Sequence, residues 1–205
     1  MEYKKIQEEE AKTWILDDPT KFRDKKMRET IRYPLLAKQM GLNNLDTSWM
    51  TVWDIGAGPF GGVSTVLRCK EVKRIDPLKK EYKKISDVST YDNIKAENLK
   101  FNLKEPDLII CTNSIDHFEF PESFLEDLGK YMKPGAYFAH LHAIDNAVTH
   151  PHPAHVHNIN PALMRKYLSK DFECVWYSDY ATDGLTYGWL KQESFAGLYR
   201  KVTGY

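Results

Sequence analysis

The spacing of apolar positions changes character near residue 50. Before it, Ile6, Trp14, Ile15 and Leu16, then Met27, Ile31, Leu35, Leu36 and Met40, recur at roughly helical intervals in a highly charged background. Gly41 and the Asn43-Asn44 pair stop the second of these helices. So few apolar residues cannot form a core alone, so residues 1–50 read as a helical cap on the domain formed by 51–205. From Thr51 onward, short apolar runs alternate with amphipathic stretches. Strands are predicted at Thr51 to Ile55, Val72 to Ile75, Leu99 to Phe101, Leu108 to Thr112, Ala136 to Leu141, Phe172 to Tyr177 and Phe195 to Val202. Helices are predicted at Gly62 to Cys69, weakly at Leu78 to Ile85, at Pro121 to Met132, and from Asn160-Pro161 through Leu168. The continuous apolar run Leu108 to Thr112 suits a strand buried on both faces of a parallel sheet. Strands separated by helices predict an α/β fold: a Rossmann-like, doubly wound, mostly parallel seven-stranded sheet.

Composition narrows the classes of partner. Lys plus Arg and Asp plus Glu are both 29, so the formal net charge is zero and gives no support for a nucleic-acid or anionic-membrane surface. No window approaches a membrane span, and the first ten residues lack the apolar segment of a signal peptide. Cys69, Cys111 and Cys174 are odd in number and widely spaced, which fits reduced thiols in a cytoplasmic protein.

The most informative segment is Val52-Trp53-Asp54-Ile55-Gly56-Ala57-Gly58-Pro59-Phe60-Gly61-Gly62. An apolar strand ends in an acid, and a glycine-rich turn follows. Gly56, Gly58 and Gly61 have the spacing of a dinucleotide site, where a helix N-terminus would point its N–H groups at the ligand. Asp76, about 20 residues beyond Gly56, ends the second strand, where a carboxylate can accept hydrogen bonds from ribose hydroxyls. These features fit NAD or any adenosine-bearing ligand. Asp54 disfavours a pyrophosphate and favours a cationic ligand such as a sulfonium. The sheet also leaves only about one domain's worth of chain, with no room for the substrate domain that a dehydrogenase adds.

Over roughly residues 51 to 177 the chain resembles the class I S-adenosylmethionine-dependent methyltransferases, particularly the small-molecule branch. The residues that carry the resemblance are Asp54-Ile55-Gly56-Ala57-Gly58, Asp76 in Arg74-Ile75-Asp76-Pro77, the fourth-strand run Asp107 to Phe118, and Lys133-Pro134-Gly135-Ala136 before the fifth strand. The resemblance implies S-adenosyl-L-methionine as cofactor, with contacts at Asp54, Gly56, Ala57, Gly58, Asp76, Ala96, Glu97 and Asn113. The chain departs from the family in Ile94-Lys95-Ala96-Glu97-Asn98-Leu99. Lys95 stands where the family often has the Asp that meets the adenine amine. The adenine would then be held by backbone groups of Ala96 and Glu97, or the register lies nearer Asp92.

All seven histidines fall between 117 and 157. His150, His152, His155 and His157 could suggest zinc, yet few carboxylates and no cysteine accompany them, so no metal is expected. The resemblance places the His155-Val156-His157-Asn158-Ile159-Asn160-Pro161 stretch near the substrate. His117 follows the fourth strand, and His140 and His142 share one face of the fifth. Candidate bases are His117, His142 and His155, although each also has a plain packing role open to it. The aromatic tail Trp176, Tyr177, Tyr180, Tyr187 and Trp189 reads as packing before it reads as a cage for a cation. The expectation is in-line methyl transfer to a small-molecule acceptor, with no nucleic-acid or membrane partner. The alternatives are an NAD(P)-dependent oxidoreductase and a non-catalytic, cofactor-binding partner or regulatory protein.

Overall fold

The computed structural model describes residues 3–15, 18–83, 85, 91–92, 94–99, 102, 105–144, 154–178 and 194–202. Seven strands form one sheet: β1 (Thr51–Ile55), β2 (Glu71–Ile75), β3 (Tyr91–Asp92), β4 (Leu108–Thr112), β5 (Tyr137–Ala143), β6 (Phe172–Ser178) and β7 (Ser194–Lys201). Their order is β3-β2-β1-β4-β5-β7-β6. The pairs from β3 to β5 are parallel, and β7 runs antiparallel between β5 and β6. Among the described residues the α-helices are α1 (Tyr3–Trp14), α2 (Pro19–Gln39), α3 (Lys79–Tyr82), α4 (Pro121–Tyr131) and α5 (Pro161–Leu168).

Period-two alternation divides the strand residues between two apolar layers. Trp53, Ile109, Cys111 and Phe138 pack toward α4 and α5, joined by Phe124, Leu128, Met164 and Leu168. Val52, Leu108, Ile110 and Ala139 face the other way, against Tyr33 and Leu36 of α2 and its C-cap Met40. Local chemistry sets the helix starts. Asp18 caps α2 by accepting from Thr20 N at 2.9 Å, and Asn160 caps α5 by accepting from Leu163 N at 3.0 Å. Pro19, Pro121 and Pro161 sit at the first helical positions, where a missing N–H costs nothing.

Two predicted elements differ. The helix expected from Gly62 to Cys69 is a single 3-10 turn, Val63–Val66. Three of its four residues are β-branched, and hydroxyls compete for the backbone: Ser64 Oγ donates to Gly61 O and Thr65 Oγ1 to Gly62 O. The third strand is Tyr91–Asp92, paired with Arg74 and Ile75, ahead of the expected Leu99 to Phe101, of which Leu99 alone is described. Leu99 instead follows a 3-10 turn, Ala96–Asn98, and is fully buried in the core. Lys100, Phe101, the His150 and His152 pair, and Tyr180, Tyr187 and Trp189 lie outside the described residues.

Candidate active site

The carboxyl ends of β1, β2 and β4 meet the N-terminal helices around a cavity of about 680 Å³. That volume falls within the roughly 300–1,000 Å³ of small-molecule sites. Its floor is the turn after β1. Gly56 adopts φ +70°, and a Cβ there would lie 2.3 Å from Ser114 Cβ, so the turn and the segment after β4 touch too closely for any side chain. Gly58, at φ +63°, is the opposite case. It lines the cavity, and a Cβ on it would meet nothing within 4 Å. The backbone there is bare toward the space a ligand would fill. Gly61 points elsewhere: its carbonyl accepts from Arg74 Nε at 2.9 Å, and it does not line the cavity.

Two buried carboxylates flank the turn. Asp54 is 1% exposed, and its Oδ2 accepts from Ser64 N at 2.8 Å. The N–H that a helix would have offered to a ligand is thus spent on Asp54. Burial pushes the Asp54 carboxyl up to about 6, against the opposing pull of Ser64 and Arg74. Asp76 is 5% exposed; its Oδ2 accepts from Gly58 N at 3.1 Å and its Oδ1 from Leu78 N at 2.9 Å. Burial pushes it up to about 7 even though both N–H groups favour the ionised form. Both carboxylates line the cavity, which adds cationic or hydroxyl-bearing ligands to what this end can hold.

Ala57, Ala96 and Asn113 also line the cavity. Asn113 has φ +49°, and its Oδ1 accepts from Ala143 N at 3.3 Å, tying the end of β4 to β5. The Glu97 side chain is engaged elsewhere, its Oε1 accepting from Glu119 N at 2.7 Å and Phe120 N at 3.1 Å. Lys95 turns toward Glu119, at 2.7 Å, and over the Tyr3 ring, at 3.9 Å. Asp92 pairs with Lys73 at 3.2 Å and is not in the cavity wall.

The three candidate bases separate. His117 and His155 line the cavity; His142 does not. The His142 ring is buried beside His140, the two stacked at 5.5 Å in the layer that holds Phe195. Burial pushes His142 down to about 4. His117 and His155 converge on Asp116, a residue absent from the sequence-derived site. His155 Nδ1 lies 2.6 Å from Asp116 Oδ2, and His117 Nε2 lies 3.7 Å from Asp116 Oδ1. Glu10, on α1, places its Oε2 3.5 Å from His117 Nδ1. Burial opposes a charge on His117, but Asp116, Glu10 and Asp76 outweigh it and raise its pKa. Asp116, 1% exposed, is also opposed by burial, yet the neighbouring imidazoles hold it well below the usual carboxylate range. The signal for Asp116 was an acid directly before a histidine at the carboxyl edge of a buried strand, where ligands sit in such sheets.

The cap contributes the remaining walls: Tyr3, Glu10 and Trp14 from α1, with Lys25, Arg32 and Tyr33 from α2. Arg32 Nη1 pairs with Glu29 at 3.2 Å, and Lys25 lies 3.8 Å over the Trp14 ring. No helix among the described residues is long and apolar enough to cross a membrane.

Residues 53–140 match a family model described as a methyltransferase domain. No curated protein matches the chain. Among solved structures, the N-methyltransferase NodS from Bradyrhizobium japonicum WM9, in complex with S-adenosyl-L-homocysteine, is similar at 17% identity. Its TM-score is 0.63, with 97% of each chain covered. A complex between the Haloferax volcanii Trm112 methyltransferase activator and its methyltransferase partner contains a chain that matches at 13% identity. The TM-score there is 0.65, covering 88% of this chain and 95% of that one. The [4+2]-cyclase SpnF matches at 12% identity and TM-score 0.59, covering 84% of this chain and 81% of its own. At these identities the likeness is one of fold.

Proposed function

From the methyltransferase-domain match over residues 53–140 and the shared fold, we propose that the chain is a class I S-adenosylmethionine-dependent methyltransferase that methylates a small-molecule acceptor held between the glycine turn and the His117–His155 side of the cavity. The observation that carries this reading is one cavity lined both by the glycine turn with Asp76 and by His117 with His155. At one end Gly58 leaves open space and Asp76 offers a carboxylate, an arrangement suited to the ribose and methionyl parts of the cofactor. S-adenosyl-L-methionine, when bound, supplies a methyl group already activated by the sulfonium.

The protein's task is then alignment in a space sheltered from water. The glycine turn lets the ligand approach the backbone. Asp76 holds hydroxyls, with its carboxylate oriented by Gly58 N and Leu78 N. Asp54 adds negative charge under the turn, favouring a cationic ligand. Helices α1 and α2 close the far wall, so acceptor choice rests with Trp14, Lys25, Arg32 and Tyr33. A hydroxyl or ammonium acceptor must lose a proton, and His117 and His155 line the cavity with Asp116 buried behind them. His142 has no such part, being outside the cavity and held neutral. A carboxylate or thiolate acceptor would need positioning alone.

The size of the cavity suits a metabolite, and the balanced charge offers no footprint for nucleic acid. A cytoplasmic location accords with the reduced-thiol reading. The test is transfer of a labelled methyl group from S-adenosyl-L-methionine to members of a metabolite library. Label on a small molecule supports the reading. Label only on protein or nucleic acid would replace the acceptor class, and no label on any acceptor would favour a non-catalytic, cofactor-binding role.

A further inference from the structure

Asp116, His117 and His155 each offer one ligand atom, all three atoms lying within 4.8 Å of one another. We propose that these three side chains bind a divalent first-row transition-metal ion, zinc being the probe of choice, which presents its open positions to an acceptor hydroxyl. The proposal rests on the reading of this wall as the acceptor side.

The ligand types suit such an ion. Two imidazoles and one carboxylate form a mixed nitrogen and oxygen set that favours zinc, cobalt, manganese or iron(II) over magnesium or calcium. Three protein ligands leave positions free, as catalytic sites require. The geometry agrees at two levels. His117 Nε2 and Asp116 Oδ1 are 3.7 Å apart. That is close to the separation of two atoms that each sit about 2.1 Å from one tetrahedral ion. The other nitrogen of the same ring, Nδ1, faces Glu10 Oε2 at 3.5 Å. A carboxylate behind the far nitrogen of a ligating imidazole is the outer partner such sites use to fix tautomer and ring orientation. His155 Nδ1 and Asp116 Oδ2, now 2.6 Å apart, would open to roughly 3.4 Å to share a tetrahedral ion.

Charge favours the ion as well. Asp116 is buried with Glu10 close behind His117, and a divalent cation would offset both carboxylates. The histidine-rich stretch supplies His155, while the carboxylate it lacks in sequence is delivered by the fold from 39 residues away. With the ion in place, an acceptor hydroxyl bound to it loses its proton to water at lower pH. The resulting oxygen then forms its bond to the methyl carbon as the carbon–sulfur bond breaks and the sulfur becomes neutral.

The test uses the full chain, stripped with a chelator, desalted and titrated with zinc by calorimetry and with cobalt(II) by visible absorption. One ion per chain is expected, with the cobalt complex showing bands of low coordination number. His155→Gln and His117→Gln should each weaken zinc binding at least tenfold, Glu10→Gln should weaken it by roughly tenfold, and His157→Gln should leave it unchanged. Each variant is also titrated with S-adenosyl-L-homocysteine, whose unchanged affinity shows that the fold and the cofactor end are intact. Absence of zinc binding in a chain that still binds S-adenosyl-L-homocysteine would overturn the metal site and leave the methyltransferase reading standing. Zinc binding that survives His117→Gln and His155→Gln but is lost in His150→Gln or His152→Gln would also overturn it.

Discussion

Replacing Asp76 by Asn should move stability and cofactor affinity in opposite directions as pH rises. The Asp76 carboxyl is pushed from 3.8 to about 7, with burial as the main cause. A buried acid with a raised pKa stabilises the fold at low pH, where it is neutral, and that contribution disappears as pH rises through 7. At 1.36 kcal/mol per unit, roughly three units amount to about 4 kcal/mol between full protonation and full ionisation. Most of this falls between pH 5 and pH 8, where linkage gives roughly 3 kcal/mol. The Asn variant does not titrate, so its stability relative to wild type should improve by that amount across the interval. Asn has one acceptor oxygen for the two N–H groups of Gly58 and Leu78, so a pH-independent loss of about 1–3 kcal/mol is superimposed. S-adenosyl-L-homocysteine affinity should meanwhile fall about tenfold to a hundredfold, the loss expected when a charged acceptor is removed from ribose hydroxyls. Urea unfolding of both proteins at pH 5 and pH 8, with calorimetric titration of the ligand at pH 8, measures both effects. A stability difference that does not change with pH would refute the raised carboxyl. Unchanged ligand affinity in the folded variant would refute the ribose assignment.

Other positions make independent claims. Gly58→Leu places a side chain into open cavity space from a left-handed backbone, so it should cost about 1–2 kcal/mol in stability and lower cofactor affinity at least tenfold; a folded variant that titrates like wild type would show that the ligand lies elsewhere. His142, pushed down to about 4, stabilises the fold above its unfolded value of about 6.5, and that contribution is lost as pH falls through 4. His142→Leu should therefore lose about 3 kcal/mol less than wild type between pH 7 and pH 4, and parallel stability profiles would contradict the neutral, core-packed ring. Because Asp54 and Asp76 ionise near 6 and 7 in the protein, binding a cationic cofactor near pH 6 should release protons; titrations in buffers of different ionisation enthalpy would detect this, and buffer-independent heats would argue against it.

The legible parts of the fold were those whose local chemistry and tertiary packing agree. Val52, Trp53 and Ile55, and the run Leu108–Cys111, are apolar because both faces of the sheet are covered, and no other element type competes for runs that short. Pro121, Asn160 and Pro134-Gly135 marked helix starts and a turn through backbone constraints that neighbours do not override. The segment after the glycine turn was misread because motif logic outweighed four residues of poor helix propensity. Ser64 donates its N–H to Asp54, a partner ten residues away that no local pattern reveals. The third strand is two residues long, too short for periodicity to register, whereas Leu99 looked strand-like because it is buried. The position of Gly56, Gly58, Asp54 and Asp76 at the cavity was legible because one short segment and its neighbour carry them. Asp116, Glu10 and the split between His142 and His155 were not. They depend on which loop folds back over the carboxyl edge of β4 and on where α1 lies, both set by packing across long sequence separations.

The account turns on what the cavity beside Gly58 and Asp76 binds. Calorimetric titration of the purified chain with S-adenosyl-L-methionine, S-adenosyl-L-homocysteine and NAD measures that directly. One site per chain is expected for the two sulfur compounds, weakened by Asp76→Asn and Gly58→Leu, with no measurable binding of NAD. Saturable NAD binding without binding of either sulfur compound would contradict it.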